Sequence, residues 1–149
     1  MRNILLNRIT AYALAGLLII AGKTPVFAAD TTQEKIVVLA LGDSLTAGFG
    51  VDAEENFPSR LQVKIDNAGL AYKVVNAGVS GDTTAGGVRR INWLMKHKPQ
   101  IVILALGAND GLRGLSTDEM RSNLETMIRI SQEHGARVLL AGMKALPNY

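Results

Sequence analysis

The chain is predicted to fold as an open, doubly wound α/β sheet, because short apolar runs and longer amphipathic stretches alternate along it from Ile36 onward. Two of the runs, Ile36 to Leu41 and Ile101 to Leu106, are continuously apolar, and each is closed by a glycine, Gly42 and Gly107. Runs without polar alternation suit strands covered on both faces, as in a parallel sheet between helices. The third observation is the order: strand, helix, strand, helix, strand, helix, strand, with no repeat, low-complexity stretch or linker.

The first strand runs into a glycine-bounded turn, and a weak helical pattern follows from Phe57 to Asn67. Valine marks a second strand from Tyr72 to Ala77. The second helix is predicted from about Thr84 to Lys98, with Val88, Ile91, Leu94 and Met95 on one face and Pro99 ending it. After the third strand, Ser116 and Glu119 have capping-box spacing and open the clearest helix. In it Met120, Leu124, Met127 and Ile128 recur on one face until Gly135. A fourth strand is expected from Arg137 to Met143.

With 149 residues, 48% of them hydrophobic and 19% charged, the chain has the material for one globular domain. The formal charge of +3 points toward nucleic acid only until the charges are located. Arg2, Arg8 and Lys23 all precede Ala28, where no acidic residue stands, and without these three the basic residues equal the 13 acidic ones. No electrostatic footprint for nucleic acid remains. The same leader has basic residues first, then an uncharged stretch from Ala11 to Ala21, then Val26-Phe27-Ala28, which is the order of a signal peptide. Its core is about half of the roughly 20 apolar residues that span a bilayer. Residues 1–28 are therefore expected to be a signal peptide, cleaved before Ala29 or at the next bond, and 29–149 a single domain. The product is expected in the periplasm or outside the cell, with no stable membrane span. There is no cysteine, so neither a disulfide framework nor a thiolate metal site is available.

In such sheets ligands bind outside the carboxyl ends of the strands, so the chemistry is sought in three turns. The first is Gly42-Asp43-Ser44-Leu45-Thr46-Ala47-Gly48. A serine just past a buried strand, between glycines, can expose its hydroxyl beside main-chain N–H groups, which suits a nucleophile at an oxyanion site. Thr46 stands where a G-x-S-x-G elbow would have its second glycine, and the same residues also make an ordinary turn with Ser44 as a helix cap. Neither a dinucleotide fingerprint nor a P-loop is present, so nucleotide binding has little support.

The second turn runs from Asn76 to Thr84. Gly78 and Gly81 leave main-chain amides uncovered, as both a turn and an oxyanion hole require, with Asp82 or Thr83 as a helix cap. Ser80 is a rival nucleophile, ranked below Ser44 because it lies deeper in the turn. The third is Gly107-Ala108-Asn109-Asp110-Gly111, where the Asn109 amide can donate to an oxyanion or simply form a turn. Read singly, each is a turn. Together, at consecutive strand ends, they bring a hydroxyl, two main-chain amides and a carboxamide to one rim.

Gly42-Asp43-Ser44, Gly81 within Asn76-x-Gly78-x-x-Gly81, and Gly107-x-Asn109-Asp110 resemble the first three signature blocks of the GDSL/SGNH hydrolases. Ser80 to Thr83, Asn109 to Gly114 and Leu146-Pro147-Asn148-Tyr149 look like the bacterial periplasmic branch of thioesterase I, lysophospholipase L1 and arylesterase. The resemblance runs from about Ile36 to Tyr149. It implies a flavodoxin-like three-layer α/β/α sandwich and hydrolysis of acyl esters or thioesters without metal or cofactor, by a monomer acting on a small-molecule substrate. It also implies that Ser44 is the nucleophile and that the N–H groups of Ser44 and Gly81 and the Asn109 side chain form the oxyanion hole. Asp43 and Asp110 would brace the loops, and Gly111, Leu112 and Leu115 would border the acyl pocket; surface leucines are the alternative.

The family's fourth signature, an Asp-x-x-His supplying the base, does not occur here. Leu94 stands three residues before His97, and Ser131 three before His134. Both histidines stand at the ends of predicted helices, so they are expected at the edge of the sheet opposite Ser44, where a cation near a helix C-terminus is merely favourable. The chain ends where the resemblance would continue. A truncation is expected, with the catalytic Asp and His outside the given sequence and the 149-residue chain nearly inactive alone. The rival readings are a carbohydrate deacetylase of the same superfamily and a non-catalytic acyl-binding module.

Overall fold

A computed structural model describes residues 34–142. The expected signal peptide and the Leu146 to Tyr149 block lie outside the described residues. Four parallel strands form one sheet in the order β2-β1-β3-β4: β1 Ile36–Gly42, β2 Tyr72–Gly78, β3 Ile101–Ala105 and β4 Arg137–Leu140. The helices are α1 Ser44–Ala47, α2 Phe57–Asn67, α3 Thr84–Leu94, α4 Ala108–Leu112 and α5 Thr117–Glu133. The alternation predicted from the sequence is thus present, with α1 and α4 added as short helical turns where plain turns were expected.

Local chemistry sets the helix limits. Asn56 caps α2, its side chain accepting from the Ser59 N–H at 2.9 Å, and Pro58 fits the first turn, where no amide partner is lost. Ser116 caps α5 by accepting from the Glu119 N–H. The helix predicted to reach Lys98 instead ends at Leu94 and tightens into a 3-10 turn over Met95–His97. Pro99 disfavours helical backbone at the residue before it, and Lys98 adopts φ 49°.

On one face of the sheet α3 and α5 pack together over the strands. Ile91, Leu94, Met95, Met127 and Ile130 meet Leu39, Leu41, Val102 and Leu104 in a continuous core. On the other face α2 packs against β2 and buries Ile65. β1, at the centre, is covered on both faces, as its unbroken apolar run predicts. β3 carries the same kind of run, yet only Val102 and Leu104 are buried and their neighbours are half-buried. Two helices cover one face of β3, whereas α2 on the opposite face packs over β2. In β4, Leu139 and Leu140 are exposed. Truncating a core residue such as Leu41 to alanine would cost about 2 to 5 kcal/mol.

Candidate active site

At the end of β1 the chain turns at Asp43, which is 2% exposed, and the Asp43 carboxylate accepts from the Leu45 N–H at 3.0 Å. Asp43 is therefore the cap of α1, and Ser44, which the turn reading made the cap, is the first residue of that helical turn and half-buried. The turn packs closely on the next strand end. A Cβ at Gly78 would overlap the main chain of Ala47 and Thr46, so only glycine fits where α1 meets β2. The Val79 N–H donates to the Gly42 carbonyl at 3.0 Å and joins the first turn to the second.

The second turn is shaped by Gly81, whose φ of +78° is natural only to glycine, and by the Asp82 N–H donating to the Val79 carbonyl. Thr83 caps α3 through the Gly86 N–H. Ser80 is exposed on the same turn. Two arginines hold the turn in place. Arg90 of α3 pairs with Asp82 at 2.8 Å, and Arg113, exposed at the end of α4, donates to the Gly81 carbonyl at 2.8 Å. Among the described residues, no acceptor takes the main-chain N–H of Ser44 or of Gly81.

At the third strand end Asn109 sits in α4. Its amide donates to the Asp82 carbonyl at 2.9 Å and reaches the Asp43 carboxylate at 3.5 Å. Asn109 therefore touches both other turns. Asp110, 3% exposed, accepts from the Thr84 N–H at 2.9 Å and from the Thr84 hydroxyl, which in turn accepts from Asn123 of α5 at 3.1 Å. A carboxylate from the third turn thus caps the helix that leaves the second, where the helix dipole favours negative charge. Gly111, Leu112 and Leu115 are exposed beyond it, and Leu45 and Val79 expose apolar side chains on the other two turns.

The two histidines stand elsewhere. His97 precedes β3 and lies edge-on to the Trp93 ring; His134 precedes β4 with Nδ1 2.8 Å from the Ile130 carbonyl oxygen. In a parallel sheet both positions are at the amino edge, opposite Ser44. Among the described residues no group of three or more His, Cys, Asp or Glu is placed to hold a metal ion. Sequence reasoning overlooked Arg90, Arg113, Thr84, Asn123 and the exposed Leu45 and Val79. For Arg90 a signal existed: it lies in line with Gly87 and Leu94 on the helix face that enters the core, where a charge needs a partner.

Residues 40–149 match the GDSL-like Lipase/Acylhydrolase family. The chain is 39% identical to Esterase TesA of Pseudomonas aeruginosa over 93% of its own length and 67% of that protein. It is 41% identical to an arylesterase of Vibrio mimicus over 82% of its length and 60% of that protein. Its fold superimposes on the SGNH-hydrolase family esterase AlinE4 with a TM-score of 0.73 at 45% identity, covering 77% of this chain and 62% of that one. The chain thus spans about three fifths to two thirds of the length of these proteins. With three joined turns that carry Gly42-Asp43-Ser44, Gly81 and Asn109, and a match over most of its length, the chain belongs to the GDSL-like lipase/acylhydrolase family.

Proposed function

We propose that the protein is a serine hydrolase of acyl esters or thioesters, of arylesterase, acyl-CoA thioesterase or lysophospholipase type. Ser44 Oγ attacks the acyl carbon and gives up its proton to a base. The Ser44 N–H, the Gly81 N–H and the Asn109 amide receive the negative charge that develops on the acyl oxygen, and the alcohol or thiol leaves with the proton held by the base. Water, giving a proton to the same base, then releases the acid and restores the Ser44 hydroxyl. The carrying observation is Asn109, whose one amide group lies 2.9 Å from the Asp82 carbonyl beside Gly81 and 3.5 Å from the Asp43 carboxylate beside Ser44. Electrostatic stabilisation of this kind is commonly the largest single contribution to acyl-transfer catalysis. Asp43 and Asp110 act by holding the turns.

The exposed Leu45, Val79, Leu112 and Leu115 on these turns favour an acyl chain over an acetylated sugar. Gly111 borders the same acyl pocket. Residues 1–28 act as a signal peptide, and 29–149 belong to a monomeric hydrolase domain in the periplasm or outside the cell. Among the described residues no helix is long and apolar enough to cross a membrane.

The test is hydrolysis of a p-nitrophenyl ester series of increasing acyl length by the complete gene product and by Ser44→Ala. The expected result is a preference for acyl chains longer than acetyl and a loss of at least about 10³-fold in kcat for Ser44→Ala. Undiminished turnover in that variant refutes the proposal, and acetyl-sugar esters as best substrates would favour the deacetylase. The mass of the exported protein tests the cleavage before Ala29.

A further inference from the structure

We infer that Arg90 is the positioning residue that sets the geometry of the oxyanion site, an inference that rests on the serine hydrolase reading above. Its guanidinium donates to three different segments. Nη2 reaches the Gly42 carbonyl at 3.0 Å, Nη1 the Ala77 carbonyl at 2.6 Å and Nε the Asp82 carboxylate at 2.8 Å. These are the end of β1, two residues before Ser44, the end of β2, and the residue that follows Gly81.

Two of these three contacts are shared with another bond of the site. The Gly42 carbonyl also accepts from the Val79 N–H at 3.0 Å, so two donors fix the peptide plane that leads into Asp43 and Ser44. Asp82 receives Arg90 on its carboxylate and Asn109 on its main-chain carbonyl. One guanidinium therefore braces the segments that carry the Ser44 and Gly81 N–H groups directly, and reaches Asn109 only through Asp82. A planar fork with several fixed donors can do this, whereas a lysine offers one compact point of charge.

Burial separates this arginine from the others. Its side chain is 20% exposed and that of Asp82 10%, against 61% and 55% for Arg129 and Glu133, an i,i+4 pair on the surface of α5. Surface pairs of that sort contribute little. Arg113 approaches the same turn from the solvent side with a bond to the Gly81 carbonyl alone. Displacing a reacting group by about 1 Å costs on the order of 10²-fold in rate, so a brace behind the donors acts on the transition state more than on the bound substrate.

The test compares a tetrahedral with a trigonal ligand on the complete gene product. Hexylboronic acid forms a bond from Ser44 Oγ to boron while the hydroxyl proton passes to solvent, leaving an anionic adduct with an oxygen in the oxyanion position. Heptanoate carries the same alkyl chain and forms no such bond. In Arg90→Gln the boronate is expected to bind at least about 10-fold more weakly and heptanoate within about 3-fold of the parent. A groove of about 460 Å³ between β2 and α3 is lined by Arg90, Trp93 and His97. Ethylguanidinium can enter there and is expected to restore boronate binding to Arg90→Ala. If those variants do not fold, Arg90→Lys, which keeps the charge beside Asp82, is expected to show the same selective loss. Boronate binding unchanged in the Arg90 variants, or equal loss of both ligands, overturns the inference. Boronate binding unchanged in Ser44→Ala overturns the serine reading itself, whatever Arg90 does.

Discussion

The two edges of the sheet both carry polar residues, but they satisfy them differently. At the carboxyl edge the bonds reach far along the chain: 26 residues from Thr84 to Asp110, 48 from Arg90 to Gly42 and 66 from Asn109 to Asp43. At the amino edge His134 reaches four residues back within its own helix, and His97 stands beside Trp93 one turn before it. The amino edge also has a long reach, Gln100 accepting from the Val37 N–H, but that bond is exposed to water. The difference shows where the fold has spent buried polar contacts: on holding three turns in fixed relation, which a structural terminus does not require.

Substitutions at the two edges should therefore differ in kind as well as in size. The largest expected effect after loss of the serine is at Asn109, where Asn109→Ala removes one of the proposed oxyanion donors. A fall in kcat of about 10²- to 10³-fold is expected, with KM little changed. A comparable fall in KM affinity with intact kcat would place Asn109 in substrate binding alone. Next is Asp110→Ala, which strands the buried Thr84 N–H without its acceptor. Urea unfolding should show a loss of about 3 kcal/mol, and a loss below about 1 kcal/mol would mean that the third turn does not need this cap.

A smaller effect, of opposite sign, is expected beneath the serine. Thr46 is 1% exposed and, among the described residues, its hydroxyl lacks a hydrogen-bond partner. Thr46→Val should raise stability by about 1 kcal/mol, because it removes a buried polar group without changing shape. A destabilised variant would reveal a partner for that hydroxyl. The smallest effects belong to the amino edge: His97→Ala and His134→Ala should each leave kcat/KM within about 2-fold. A large loss in either would abolish the distinction between the edges.

Much of the fold was legible because its signals are local. The apolar runs of β1 and β3, the capping residues Ser116 and Thr83, and the Phe57–Asn67 helix all report on neighbours a few residues away. The three turns were legible as places, since each closes a strand. What the sequence could not display is distance: that Arg90 spans three segments, that Asp110 caps a helix 26 residues earlier, or that Asp43 rather than Ser44 caps α1. Burial of β3 was also overestimated, because an apolar run records what a strand can bury and not which helix lies over it.

The proposed arrangement of Ser44, Gly81 and Asn109 around one oxygen is tested most directly by the crystal structure of the gene product with hexylboronic acid. Boron bonded to Ser44 Oγ, with one boron oxygen within hydrogen-bond reach of the Ser44 N–H, the Gly81 N–H and the Asn109 amide, is the result predicted. Boron bonded to Ser80, or a Ser44 adduct whose oxygens face away from Gly81 and Asn109, would contradict it.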